Sequence, residues 1–166
     1  SRLSDLDADK AQLCLDSARA SMAALRLLAP RDICLYVGIP FCPTRCAYCS
    51  FVSVAVEKSL GLIEPFLNAL RLEMEATARV VRELGLRVRA VYIGGGTPTT
   101  LSAAQLRQLC ASLRELFDLS ACREFCVEAG RPDTIDEAKL RALAENGVDR
   151  ISINPQTMSD AVLRGI

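Results

Sequence analysis

The chain contains no histidine among its 166 residues. Histidine-ligated metal sites are therefore excluded, and so is every serine or cysteine nucleophile activated by an imidazole. There is no excess of charge either: 20 Lys+Arg balance 20 Asp+Glu. Without a basic excess, neither a nucleic-acid footprint nor a face drawn to an anionic membrane is expected. No apolar run approaches the roughly 20 residues that a membrane span needs, and no basic leader precedes a short apolar core as in a signal peptide. What remains is 51% apolar and 24% charged, enough for one packed globular domain and unlike a disordered segment.

Eight cysteines without a secretory leader point to a reducing compartment, the cytoplasm. Thiols there serve packing, redox work or metal ligation rather than disulfides. The chain starts with Ser1 rather than methionine, and Ser159-Asp160-Ala161-Val162-Leu163 near its end reads as the start of a helix. A chain cut at both ends is expected.

Helical and extended segments alternate. Cys14, Ala18, Ser21, Leu25 and Leu28 recur at helical spacing until Pro30, a helical lead-in over residues 1–30. The extended run Ile33–Ile39 follows, then a helix with Ile63, Phe66, Leu67, Leu70, Met74, Ala78, Val81 and Leu84 on one face, ending at Gly85. Strand Ala90–Ile93 runs into three glycines. The next helix opens with the capping box Ser102-x-x-Gln105 and presents Leu106, Leu109, Cys110, Leu113, Leu116 and Phe117. Strand Glu124–Glu128, a helix opened by Thr134-x-x-Glu137 and closed at Asn146-Gly147, and strand Arg150–Asn154 complete the series. Four strand-helix units in sequence predict a parallel sheet with helical crossovers, an α/β fold.

The strands alternate where doubly covered parallel strands read as unbroken aliphatic runs. Ile33, Leu35, Val37 and Ile39 share a face, as do Val91 and Ile93, Phe125 and Val127, and Ile151 and Ile153. Opposite them stand Tyr36 and Gly38, Tyr92 and Gly94, Cys126 and Glu128, and Ser152, Asn154 and Gln156. A polar face on a parallel sheet is costly unless something fills it. The expected filling is a ligand in the lumen of a curved, incompletely packed barrel, at the C-terminal ends of the strands.

The chemistry lies after the first strand, in Pro40-Phe41-Cys42-Pro43-Thr44-Arg45-Cys46-Ala47-Tyr48-Cys49, where three cysteines stand in C-x3-C-x2-C spacing. Thiolates suit iron–sulfur clusters, and a compact loop can wrap three of them around one cubane, leaving one iron open. Three core thiols, or a zinc site completed by a distant cysteine, are the alternatives. Cys122 and Cys126 also stand in C-x3-C, but four residues along a strand span ~13 Å, too far to share a cubane. They are expected to be core thiols, with Cys14, Cys34 and Cys110. Glu73, Glu75, Arg79, Arg82 and Glu83 read as a solvated helix face, and Arg131 and Asp133 as capping the next helix, with contact to a bound ligand as the alternative.

The cysteine spacing resembles the signature of the radical S-adenosylmethionine (SAM) superfamily. With Tyr36-Val37-Gly38-Ile39-Pro40-Phe41, Tyr92-Ile93-Gly94-Gly95-Gly96-Thr97-Pro98-Thr99, the segment Val127–Ile135 and the segment Gly147–Met158, the chain resembles the oxygen-independent coproporphyrinogen III oxidase group. Its Glu-Ala-Gly-Arg-Pro-Asp and Ile-Asn-Pro-Gln-Thr-Met versions are most similar to the HemZ-type branch. The resemblance implies that residues 31–166 are the N-terminal portion of a radical SAM core, a truncated (β/α) partial TIM barrel. It implies that Cys42, Cys46 and Cys49 hold a [4Fe–4S] cluster whose open iron binds SAM. Tyr36, Tyr48, Gly95, Gly96, Thr97, Glu128 and Gln156 would line the SAM site, the glycines offering their peptide groups to its methionyl end.

The implied activity is oxidative decarboxylation of coproporphyrinogen III to protoporphyrinogen IX in haem biosynthesis. The implied electron source is a low-potential donor such as flavodoxin or ferredoxin. Related haem chaperones, which bind haem without oxidase activity, share the cysteine and glycine motifs. The oxidases carry a further cysteine two residues after the third ligand, where this chain has Phe51. A SAM-contacting arginine of the group is expected just beyond Ile166.

Overall fold

The structure is a computed structural model describing residues 7–44, 46, 48–51, 54, 55 and 60–164. It divides into two units, Ser1–Asp32 and Ile33–Ile166. In the first, Asp7 caps helix α1 (Ala8–Arg26), its carboxylate accepting the Asp9 N–H at 2.9 Å. The helix stops at Leu27, short of Pro30, because the Leu27 and Leu28 N–H groups turn back to the carbonyls of Ala24 and Leu25. α1 buries no side chain, so Cys14 is exposed rather than a core thiol.

The second unit holds a four-stranded parallel sheet of β1 (Asp32–Ile39), β4 (Arg87–Gly95), β5 (Glu124–Glu128) and β6 (Arg150–Ser152), in that spatial order. A two-residue parallel pair, β2 (Phe41–Cys42) and β3 (Val54–Ala55), flanks it, with Phe41 opposite Val54 and Cys42 opposite Ala55. The connections carry helices α2 (Ile63–Glu83), α3 (Ala103–Leu116) and α4 (Glu137–Glu145), and α5 (Asp160–Leu163) follows β6. The register pairs Val91 with Phe125 and Ile93 with Val127, then Val127 with Ile151.

One face of the sheet carries the core. Val37, Ile39, Val91, Ile93, Phe125 and Val127 pack with Met74 and Ala78 of α2, Leu106 and Leu113 of α3, and Leu143 of α4. Leu106, Leu113 and Leu143 are at most 1% exposed, and burial of each contributes about 1.5–3 kcal/mol. Tyr36 and Gly38, on the opposite face, are exposed. Cys34 shares their parity and is also exposed, which overturns its reading as a core thiol. Cys110 and Cys126 are buried and Cys122 is half-buried, as expected.

The boundaries shift where local hydrogen bonds compete. The Ser102–Gln105 box forms in both directions. α4 is capped instead by Asp136, whose carboxylate accepts the Lys139 N–H at 2.8 Å. Thr134 ends a 3-10 turn (Pro132–Thr134) and donates to the Arg131 carbonyl. β6 stops at Ser152, so Ile153 leaves the greasy face and is 50% exposed. Leu84 has turned outward at the C-cap of α2, and Gly85 takes the left-handed φ of 59° that closes that helix.

Candidate functional site

Parallel strands bring their C-terminal ends to one edge. Here that edge collects the loop after β1 and β2, the glycine turn of β4, the segment after β5 and the segment after β6. Cys42, Cys46 and Cys49 line one cavity of about 170 Å³. Gly95, Gly96, Thr97, Glu128, Tyr48 and Gln156 share it, so nine of the ten expected site residues meet there. Tyr36 does not. It lies 60% exposed on the open sheet face, its ring stacked on Tyr92 at 6.0 Å and 11°.

The glycine turn is held by close backbone approach. Gly95 has φ 111°, and a Cβ there would come within 2.7 Å of the Ile39 carbonyl oxygen. At Gly96 it would meet the Phe41 carbonyl oxygen at 2.6 Å and Cys42 Sγ at 2.9 Å. The Gly96 N–H donates to Ile39 O at 2.7 Å and the Thr97 N–H to Phe41 O at 2.8 Å. The glycines thus dock against the chain's own β1–β2 segment. The expectation that this turn offers its peptide groups to a ligand is corrected for these two N–H groups, which are already bonded.

Three sulfur donors around one cavity suit an iron–sulfur centre. The Cys46–Cys49 stretch is closed by the Cys49 N–H on Cys46 O at 3.1 Å, and Thr97 Oγ1 donates to Cys42 Sγ at 3.6 Å. Among the described residues, no three Cys, Asp or Glu side chains gather as they would around a single ion. One tetrahedral ion with bonds of about 2.3 Å requires its ligands nearly in contact with one another. A cubane holds each cysteine on a different iron and spreads them around its corners. Three thiols without a histidine are a donor set that fits such a cluster.

Tyr92 donates to Glu128 Oε1 at 2.9 Å, and Glu128 Oε2 lies where a Cβ on Gly94 would meet it at 3.0 Å. Burial, with the Glu128 hydrogen bond next, pushes the Tyr92 phenol up to about 12. Tyr48 donates to Gln156 Oε1 at 2.7 Å. Desolvation and then its contact with Cys46 hold that phenol above its ordinary value. Gln156 has φ 62°, a conformation that strains a side chain with a Cβ and is kept where the surroundings demand it.

Sequence reasoning passed over Thr44, which lines the same cavity, as a ligand-facing group. Asn154, placed on the polar face by its parity with Ser152 and Gln156, lines the cavity as well. Arg131 and Asp133 cap no helix. They pair with each other, Arg131 lines the cavity, and Arg131 Nη1 donates to Thr44 Oγ1.

The family model for the Radical SAM superfamily matches residues 36–166. The chain belongs to the radical SAM superfamily. Members of this superfamily use a [4Fe–4S] cluster and SAM. The chain is 43% identical over 136 residues to the oxygen-independent coproporphyrinogen-III oxidase-like protein HemZ of Bacillus subtilis, covering 81% of itself and 27% of that protein. It is 38% identical to the heme chaperone HemW of Lactococcus lactis, over 79% of itself and 32% of that relative. Among solved structures it is similar to the coproporphyrinogen III oxidase HemN of Escherichia coli, a radical SAM enzyme. That match has a TM-score of 0.69 and 31% identity, over 88% of this chain and 33% of that one. The chain therefore spans about a third or less of the length of these radical SAM relatives. No described helix is long and apolar enough to cross a membrane.

Proposed function

We propose that Cys42, Cys46 and Cys49 hold the [4Fe–4S] cluster and that Tyr48, Gly95, Gly96, Thr97, Glu128 and Gln156 hold SAM beside it, with Tyr36 at the margin. The observation that carries this reading is the meeting of the three thiols with the glycine turn and Glu128 in one cavity at the strand ends. When bound, the pair supplies reductive cleavage of SAM, a one-electron chemistry able to take hydrogen from an unactivated carbon. The chain's own part is to bind, orient and exclude. The glycine turn fixes the height of Cys42. Glu128, held by Tyr92, presents a fixed carboxylate to the cavity. Gln156, held by Tyr48, stands across it.

We infer further that residues 31–166 are the N-terminal portion of the core of a cytoplasmic oxidoreductase. It would carry out oxidative decarboxylation of coproporphyrinogen III to protoporphyrinogen IX, with flavodoxin or ferredoxin as donor. The similarity to HemZ and HemN supports that substrate. A second reading is a haem chaperone without oxidase activity. The similarity to HemW and the presence of Phe51 where the oxidases carry a cysteine favour it.

Anaerobic assay of the protein discriminates the two. SAM-dependent formation of protoporphyrinogen IX supports the oxidase, and stoichiometric haem binding without turnover supports the chaperone. Replacing any one of Cys42, Cys46 or Cys49 by serine is expected to abolish the visible absorbance of the reconstituted cluster. Full absorbance in such a variant overturns the assignment of that ligand.

A further inference from the structure

Arg131 has no task in the reading above, yet every edge of its guanidinium is engaged. Nε and Nη2 donate to the two carboxylate oxygens of Asp133 at 3.2 and 3.1 Å, and Nη1 donates to Thr44 Oγ1 at 2.5 Å. The Arg131 side chain is 25% exposed and that of Asp133 58%. A pair so open to water adds little stability by its charge alone. What the fork does is fix the plane of the guanidinium, so that its third edge faces the loop residue between Cys42 and Cys46.

Sheet order makes this contact a long reach. β4 lies between β1 and β5, so a loop leaving β1 passes over the end of β4 before it meets the segment after β5. Bare glycines at 95 and 96 leave room for that passage, since a Cβ at either would strike the β1–β2 backbone. On the far side two bridges close the loop down, Thr44 to Arg131 and Tyr48 to Gln156. These four residues line both the cysteine cavity and a second cavity of about 430 Å³, bounded further out by Pro132, Pro155 and Leu163. With Cys46 and Asn154, which also line both, the bridges form the wall between the two cavities.

We propose that Arg131 is a positioning residue for the iron–sulfur centre: forked on Asp133, it clasps the cysteine loop through Thr44 and forms the cationic part of the wall between the cavities. This rests on the reading that Cys42, Cys46 and Cys49 hold the cluster. Two effects follow, one geometric and one electrostatic. The clasp limits how far the loop opens to release iron. The guanidinium is always charged and favours the more negative, reduced state of a cluster beside it, while Asp133 offsets part of that field.

The test uses the anaerobically reconstituted protein with R131Q, R131K, T44V and D133N. Losing a hydrogen bond to a charged group is expected to speed chelator-driven iron loss roughly tenfold in R131Q and in T44V. The double variant should be no faster than either single one. R131K should also lose iron quickly, because an ammonium cannot fork Asp133 and reach Thr44 in the same plane. In potentiometric titration followed by electron paramagnetic resonance, R131Q should shift the cluster to a lower potential and D133N to a higher one. R131K should stay near the wild type, a pattern that a simple brace would not produce. Hydrogen exchange over residues 42–49 of the cluster-free protein should quicken in R131Q and T44V. Unchanged iron loss or unchanged exchange in both variants overturns the clasp, and shifts of one sign in R131Q and D133N overturn the electrostatic role. Wild-type protein that takes up no iron refutes the cluster reading instead, while the exchange experiment still judges the clasp.

Discussion

Alanine at Gly96 adds one methyl group at the tightest crossing in the site. The new carbon would stand 2.6 Å from Phe41 O, 2.9 Å from Cys42 Sγ and 3.0 Å from the Phe41 carbonyl carbon, where ordinary contact begins at 3.4 Å. Two of these atoms are backbone. They are pinned by the pairing of Phe41 with Val54 and by the Thr97 N–H on Phe41 O, so relief requires moving β2 as a whole. Gly96 has no positive φ, unlike Gly95, which leaves steric contact as the dominant perturbation. Overpacking of this kind costs about 1–3 kcal/mol. Losing the Gly96–Ile39 and Thr97–Phe41 hydrogen bonds adds about 0.5–1.5 kcal/mol each. The expected loss is about 2–6 kcal/mol, against a total stability of about 5–15 kcal/mol for a domain. The control is Gly61→Ala, where a Cβ meets nothing within 4 Å and a change of less than about 1 kcal/mol is expected. Urea midpoints and iron bound per chain after anaerobic reconstitution are the readouts. Should Gly96→Ala match both Gly61→Ala and the wild type in each, the close approach of the two loops would be refuted.

Three further outcomes are expected. Brief alkylation of the native protein, read by mass spectrometry, should label Cys14 and Cys34 and spare Cys110 and Cys126, because burial withholds the latter pair and pushes the Cys110 thiol up to about 12. Tyr92 is held protonated by its burial and by Glu128, so its contribution to stability is complete below pH 10 and disappears as pH rises through about 12. The stability gap between wild type and Tyr92→Phe should therefore be flat to pH 10 and then close; a gap that widens with alkali contradicts that assignment. Gln156→Gly removes about 1–2 kcal/mol of left-handed strain and adds a comparable flexibility cost, leaving the denaturation midpoint nearly unchanged. It also deletes the partner of Tyr48, so SAM affinity measured by equilibrium dialysis should fall severalfold. An unchanged affinity would show that the strain serves something else.

Much of this was readable from residue patterns because the patterns reflect strong and local physics. Period-two alternation placed Tyr36, Tyr92 and Glu128 opposite the core, and the glycines marked the place where two backbones touch. The Ser102–Gln105 box was legible because both its hydrogen bonds lie within one turn. What escaped depends on partners distant in sequence. Thr134 looks like a cap until Thr99 and the Arg131 carbonyl engage its hydroxyl, which leaves Asp136 to start α4. Arg131 is read as a cap by its position, and only the passage of the cysteine loop over β4 reveals Thr44, 87 residues away, as its partner. The exposure of Cys14 and Cys34 escaped for another reason: cysteine is usually buried, and that general preference outweighed the polar-face parity that Cys34 shares with Tyr36.

The spacing of three cysteines in a loop says which atoms can bind iron, but it does not set where those atoms stand. Here each corner of the loop answers to a different strand. Cys42 is fixed by β4, through the bare Gly96 and the Thr97 hydroxyl. The segment holding Cys46 is fixed by Arg131 after β5, through Thr44, and the segment before Cys49 by Gln156 after β6, through Tyr48. The contacts made by Arg131 and Gln156 join side chains 87 and 108 positions apart, so they exist only once the parallel sheet has formed. A peptide of residues 42–49 would carry the same thiols without those restraints, and ordering it around a cluster would carry the whole entropy cost of closing the loop. The polar residues at the ends of β4, β5 and β6 thus have two tasks at once: they line the space for a ligand and they brace the loop that supplies the sulfurs. That double use accounts for a parallel sheet keeping a polar face, since Thr97, Glu128, Arg131 and Gln156 each have a partner within the chain before any ligand arrives.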